Sequence, residues 1–258
     1  MSINFTIPGT YILNSSNYEY KKHVIVEQWG AGAAGDNCYG NGGASGGYFK
    51  AYFETKMRDF TIIIGSGGLG QSICCLNSAW YNGKYIQKTY FDNGSDTTIS
   101  TNDGFINITA GGGQWINDKI SYGGNNSYEL DWPYEIFTSQ QGNSAISNPI
   151  MFNYSPGYPA YPCGCTDCGF QDYTYTIGGF GGNSPNSAGG GIGATNNYGG
   201  SNVPLVQSAS DGMYGGGGGG SVTNPCNLYG CSCDDDVVCS GGSAGNGGDG
   251  RVNMMFFN

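Results

Sequence analysis

Charge is scarce in this chain. Asp, Glu, Lys and Arg make up 11% of its 258 residues, less than half of the roughly 25% usual in soluble domains. Basic residues are the scarcest, with 9 Lys and Arg against 19 Asp and Glu and a net charge of −10. Neutralising phosphates takes clustered Lys and Arg, so nucleic-acid binding and docking on anionic membranes are disfavoured. No apolar run approaches the ~18 residues of a membrane span, and no membrane insertion is expected. The start, Met1-Ser2-Ile3-Asn4-Phe5-Thr6, has neither the basic nor the apolar region of a signal peptide. Histidine is almost missing: His23 is the single one. Nucleophilic triads then have one candidate base, set in a β-like run. No enzyme activity and no cofactor are expected.

Glycine is what the chain has in excess, at 49 residues. A mostly helical fold is excluded, since each interior glycine costs a helix about 1 kcal/mol relative to Ala. Collagen is excluded because no third-residue glycine period runs through the chain. Charged disorder fits poorly with 20 Tyr and 12 Phe, because disordered chains are poor in aromatics. The composition points to an all-β fold.

The strand candidates are Phe5–Ile7, Thr10–Leu13, His23–Trp29, Tyr48–Phe53, Asp59–Ile64, Thr97–Ser100, Phe105–Thr109 and Arg251–Phe257. Each is short, and turn or glycine signals separate them, the pattern of a sandwich rather than of βαβ units. The first and last strands are expected to meet in one sheet, so residues 1–258 read as a single glycine-rich β domain. From 115 to 177 glycine thins and aromatics crowd in. That stretch reads as an irregular insertion pinned by cysteines. Its rings, Trp132, Tyr134, Tyr154, Tyr158 and Tyr161, are the candidate recognition surface, since Tyr and Trp join large apolar faces to a polar handle. The competing reading is that they fill a core poor in Leu and Val.

The glycine tracts between strands admit two readings, flexible linker or ordered layer. Extended three-fold glycine has polyproline-II geometry and no internal hydrogen bonds. Its N–H and C=O groups point outward, so adjacent copies can bond laterally and satisfy the backbone. Two tracts, Gly30-Ala31-Gly32-Ala33-Ala34-Gly35 and Gly65-Ser66-Gly67-Gly68-Leu69-Gly70, imitate the dinucleotide fingerprint GxGxxG after a strand. Neither precedes a helix-forming sequence that would present its N-terminus to a pyrophosphate, so both read as chance matches.

Ten cysteines remain: Cys38, Cys74, Cys75, Cys163, Cys165, Cys168, Cys226, Cys231, Cys233 and Cys239. Seven form two tight groups, which suits disulfides or a metal. Without paired CxxC knuckles or a nearby His, disulfides are favoured over zinc, and the pairing stays open. Disulfides without a secretory signal suit a protein made in the cytosol that later lives outside a cell, as the proteins of virus particles do. The run Asp234-Asp235-Asp236 reads as a solvated loop rather than a Ca²⁺ site. The Asn-x-Ser/Thr matches at Asn4, Asn14, Asn93, Asn107, Asn125 and Asn153 read as coincidences of an Asn-rich chain.

Several of these segments together resemble the glycine-rich domains of phage tail fibres and large-virus surface or capsid-associated proteins. The segments are His23 to Gly35, Gly46-Gly47-Tyr48-Phe49-Lys50-Ala51, Thr61 to Gly68, Phe105 to Gly113, and Gly245 to Val252. The likeness covers residues 3–115 and 178–258; the cysteines and the aromatic stretch depart from it. It implies a jelly-roll-like sandwich packed with polyglycine-II-like segments. The expected role is structural, at a virion surface or in a fibre, with host attachment through a surface glycan or protein. Expected partners are other virion proteins and further copies of the chain, a trimer by fibre analogy. The alternative is a secreted glycine-rich receptor- or ligand-binding module.

Overall fold

A computed structural model describes residues 1–36, 41–70, 79–81, 84–86, 92–117, 120–145, 150–154, 173–177, 180–186, 189–192, 195–197, 205–218 and 243–258. All ten cysteines, Tyr158, Tyr161 and Asp234-Asp235-Asp236 lie outside the described residues. In chain order the first strands are β1 (Ser2–Phe5), β2 (Gly9–Leu13), β3 (His23–Trp29), β4 (Tyr48–Glu54), β5 (Phe60–Ile64), β6 (Ala79–Tyr81), β7 (Lys84–Ile86), β8 (Thr97–Thr101) and β9 (Ile106–Ala110). There follow β10 (Gln114–Asn117), β11 (Ile120–Tyr122), β12 (Asn126–Leu130), β13 (Tyr134–Gln140), β14 (Ile150–Tyr154), β15 (Tyr173–Ile177), β16 (Thr195–Asn197), β17 (Leu205–Gln207) and β18 (Arg251–Phe257).

Period-two alternation builds the main body. Val24 and Val26 of β3, Phe49, Ala51 and Phe53 of β4, and Val252, Met254 and Phe256 of β18 turn inward from one antiparallel sheet, ordered β1-β18-β3-β4-β13. Phe60, Ile62 and Ile64 of β5, Ile99 of β8, and Ile106 and Ile108 of β9 turn inward from a second, ordered β12-β9-β8-β5-β2. These inward faces form one buried cluster, so the chain is all-β with two sheets sharing a core. Each fully buried large apolar side chain there contributes about 1.5–3 kcal/mol. Gln28, also fully buried, stitches the sheets together: its Nε2 donates to Thr97 O at 2.9 Å and Ile108 O at 3.3 Å.

Strand boundaries follow the expectations closely where alternation is strong. The run His23–Trp29 is β3 itself, and the first and last strands do pair, with Ser2 opposite Met255. The stretch 115–177 needs correction. It holds β12 and β13, which are edge strands of the two main sheets, on β9 and β4 respectively. An edge strand needs few inward residues: Leu130 and Ile136 pack partly buried on the core, and the exposed Tyr128 ring reaches Phe49 at 5.3 Å. That sparse pattern hid them among polar residues.

The connections sort by end. At one end lie the short turns 14–22, 55–59, 102–105 and 131–133, together with both termini. Tyr18 closes the core there, stacked on Phe256 at 4.6 Å and tilted against Phe60 at 5.8 Å. At the other end the chain leaves β3, β5, β9 and β13 into its glycine-rich segments and re-enters through β4, β8, β12 and β18.

Candidate functional site

The glycine end is held together mainly by backbone hydrogen bonds. Segment 30–35 runs outward from β3, and its six N–H groups serve three neighbours in strict rotation. Gly30 and Ala33 donate to Gly47 and Ala44; Ala31 and Ala34 donate to Ser95 and Asp92; Gly32 and Gly35 donate to Gly248 and Gly245. Each neighbour is met again after three residues, on both chains. Carbonyls of the same segment accept from three others: Ala31 from Gly113, Gly32 from Gly68, and Ala33 from Gly218. Six segments therefore surround one. They also bond to each other round the ring, through Gly47 to Gly111, Gly94 to Gly113, Ser95 to Ser66, Gly247 to Gly68, Gly248 to Gly216 and Gly43 to Gly218. Segments running away from the sandwich alternate with segments running back toward it.

At its glycines this lattice excludes side chains by contact, while the methyl groups of Ala31, Ala33, Ala34 and Ala44 are buried in it. A Cβ on Gly32 would fall on the carbonyl of Gly216, one on Gly247 on that of Gly32, and one on Gly94 on that of Ala31. At the rim, where no further segment stands, side-chain oxygens accept instead. Gly67 N donates to Asp249 Oδ1 (2.9 Å), Leu69 N to Asp92 Oδ2 (3.0 Å), Gly112 N to Asp96 Oδ1 (2.8 Å) and Asn246 N to Asp211 Oδ1 (2.7 Å). Part of the acidic excess thus serves as the border of the glycine lattice. The two GxGxxG tracts are members of it, joined by Gly68 N to Gly32 O at 3.0 Å.

The opposite end carries the chemistry of side chains. Arg58, in the turn 55–59, reaches both neighbouring turns: its Nε donates to Asp103 Oδ2 at 2.6 Å and its Nη2 to Asp131 Oδ2 at 3.0 Å. Lys56 Nζ donates to the same Asp131 oxygen at 2.6 Å and to Trp132 O at 3.0 Å. The guanidinium carbon of Arg58 lies 5.4 Å from the centre of the Phe105 ring. Lys56 and Met57 both have positive φ, 46° and 52°, a conformation non-glycine residues adopt at a cost. Partial burial opposes the charge on Arg58, but its bonds to Asp131 and Asp103 prevail and hold it protonated more firmly than usual. Asp103 is held below the usual carboxylate range, by the Thr101 hydroxyl first, then the Phe105 N–H and Arg58. Asp131 is held low by Lys56 first and Arg58 second.

Neither a protein-family model nor a curated protein matches this sequence.

Of the expected recognition rings, Trp132 sits in this loop cluster and is 76% exposed, with Tyr134 just beyond it and 41% exposed. Tyr154 ends β14, opposite Tyr173 in a separate four-stranded sheet of β14 to β17, so the structure does not join it to the other two. Tyr158, Tyr161 and the ten disulfide candidates lie outside the described residues. His23 makes a local contact on the outer face of its sheet, Nδ1 to Tyr52 Oη at 2.8 Å. Among the described residues no group of three or more His, Cys, Asp and Glu is placed to hold a metal. No helix among them is long and apolar enough to cross a membrane.

Lys56, Arg58, Asp103, Asp131, Met57 and Phe105 escaped the sequence reading. One signal was available: in a chain with 9 basic residues, two fall within three positions of each other between two strands. Their acidic partners were not legible, because the turns meet only after β4, β5, β8, β9, β12 and β13 have paired.

Proposed function

We propose that this chain is a non-enzymatic structural protein of a virion surface, fibre or capsid-associated, whose loop end serves host attachment. The observation that carries this reading is the ring of six glycine-rich segments round 30–35. Its three-residue recurrence supports a polyglycine-II-like packing, and the sheet-to-sheet crossings β1–β2, β2–β3, β4–β5 and β12–β13 support a jelly-roll-like wrap. A body made this way spends its long connections on a rigid block. It leaves the short turns at the other end free to differ in side chain, a division suited to a particle protein that is anchored at one end and presents the other. Other virion proteins and further copies of this chain, as a trimer, are the partners this reading assigns.

The test is labelling of purified particles with an antibody to the chain, backed by proteomics of the same particles. Regular labelling of the particle surface is expected. A chain found only as free secreted protein would refute the virion reading in favour of a soluble binding module. Mass measurement without reduction is the second check, with cysteines lost to disulfides expected; ten free thiols would remove the extracellular argument.

A further inference from the structure

The turns 55–59, 102–105 and 131–133 expose Trp132, Phe105 and Met57 at 76%, 56% and 51%. What sets these three apart from other exposed apolar residues is that their turns are tied together by the ion pairs of Lys56 and Arg58 with Asp131 and of Arg58 with Asp103. We infer that this end of the sandwich is a binding platform for a neutral oligosaccharide, with the Trp132 indole as the face on which a pyranose ring stacks. The inference rests on the attachment reading above and names its ligand class.

Three features select that class. The charges are already spent, since Lys56 and Arg58 are both bonded to Asp131 and Arg58 also to Asp103. Arg58 Nη1 has no hydrogen-bond partner but is buried, so an acidic glycan or a phosphate would find no exposed uncommitted cation in the cluster, whereas a neutral sugar needs none. The exposed apolar area is small. With aromatic side chains presenting about 150–250 Å² each, Trp132 and Phe105 at 76% and 56% exposure offer roughly 300 Å², less than half of the ~800 Å² per partner of a stable protein interface. That is ample for one or two sugar rings. Finally, the turn that carries Trp132 is held in place beforehand. Lys56 fixes the Trp132 carbonyl, and Lys56 and Arg58 together fix the carboxylate of the preceding residue, which lowers the ordering cost of binding. Asp131 uses Oδ2 for both cations, and among the described residues its Oδ1 has no hydrogen bond. That oxygen is the acceptor for a sugar hydroxyl beside the indole.

The experiment titrates the full chain with cellohexaose, laminarihexaose, maltohexaose and chitohexaose, and with polygalacturonate as the acidic control. Tryptophan emission and calorimetry are the readouts. At least one neutral hexasaccharide is expected to bind with a Kd of about 1 mM or tighter and to shift the emission. Trp132→Ala is expected to weaken binding by at least about tenfold with an unchanged melting midpoint, and Trp132→Tyr to retain most of it. Asp131→Asn, which keeps an acceptor for Lys56, is the second variant and is expected to weaken binding several-fold. Failure of every neutral hexasaccharide, preference for polygalacturonate, indifference to both Trp132→Ala and Asp131→Asn, or loss of a protein partner instead would each overturn the inference. A chain that labels particles but binds no neutral sugar refutes this inference alone. Sugar binding by a chain absent from particles refutes the virion placement alone.

Discussion

Replacing Gly32 by Ala tests the glycine lattice at its centre. The added methyl would coincide with the carbonyl of Gly216, so that peptide must retreat by more than an ångström. Gly216 O accepts from Gly248 N at 2.8 Å, Gly32 N donates to Gly248 O at 2.8 Å, and Gly32 O accepts from Gly68 N at 3.0 Å. A shift of that size takes these bonds beyond the ~3.2 Å limit of a good N–H···O contact. Each bond contributes about 1 kcal/mol, and buried groups left unpaired cost about 1–3 kcal/mol. Reduced freedom of the unfolded chain returns roughly 0.4–1 kcal/mol. The balance is a loss of about 3–5 kcal/mol, or a melting midpoint lower by roughly 10 °C in a chain of this size. Gly189→Ala is the control. That glycine is exposed, and its Cβ would meet nothing nearer than Asn183 Oδ1 at 3.4 Å, so the same chemical change is expected to be neutral or mildly stabilising. Denaturant titration of both variants decides the matter. Equal midpoints would refute the close-packed lattice and return the tracts to ordinary linkers.

Other consequences follow from the core, the rim and the titrating groups. Phe49→Ala opens a cavity in the shared core and is expected to cost about 3–5 kcal/mol, read as a lower urea midpoint with an unchanged slope. Asp249→Ala deprives Gly67 N of its acceptor and is expected to cost about 1–2 kcal/mol, with Asp249→Asn recovering much of it because an amide oxygen can take the bond. In acid, Asp103 and Asp131 titrate below the ordinary carboxylate range. Their contribution is therefore complete above about pH 4 and is lost as pH falls through the lowered values. The emission of Trp132, taken as the difference from Trp132→Phe, is expected to stay constant from pH 7 to about 4 and change only below. In base, Tyr18 is pushed above its usual range by burial, with Asp59 adding, and Tyr48 by burial, with Glu27 adding. Raised phenols stabilise the fold fully below about pH 10, and that contribution is lost as pH climbs toward the raised values. Absorbance titration is expected to leave these two phenols neutral after the exposed tyrosines have ionised.

What the sequence made legible was the part governed by local pattern. β3, β5, β9 and β18 were readable because their inward positions are mostly apolar at every second residue, and β8 because Thr97-Thr98-Ile99 is β-branched throughout, signals independent of where the partner lies. β12 and β13 were not. As edge strands they bury little, and their membership is decided by β9 and β4, which are distant in sequence. The lattice was half legible. Composition implied outward-facing backbone groups, yet which segment meets which depends on the direction in which each strand delivers its tract. Trp132 stood out as an aromatic residue, but the Lys56–Asp131–Arg58–Asp103 cluster that positions it spans three turns and has no local signature.

The two ends also differ in what substitution can do to them. Within the lattice, residue identity is set by backbone spacing, so a Cβ at Gly32, Gly94 or Gly247 meets a carbonyl of another segment. Change there is a matter of stability and not of chemistry. At the loop end the same backbone economy is absent: Trp132, Met57 and Phe105 are exposed, and the turns are tied by charged side chains that bond each other, the Trp132 carbonyl and the Phe105 N–H. Changing the exposed side chain while keeping Lys56, Arg58, Asp103 and Asp131 alters the surface chemistry of that end without touching the core. The glycine excess and the exposed tryptophan are thus linked physically. Packing the long connections into a block joined mainly through backbone leaves side-chain chemistry to the opposite end, where the turns 55–59, 102–105 and 131–133 face solvent.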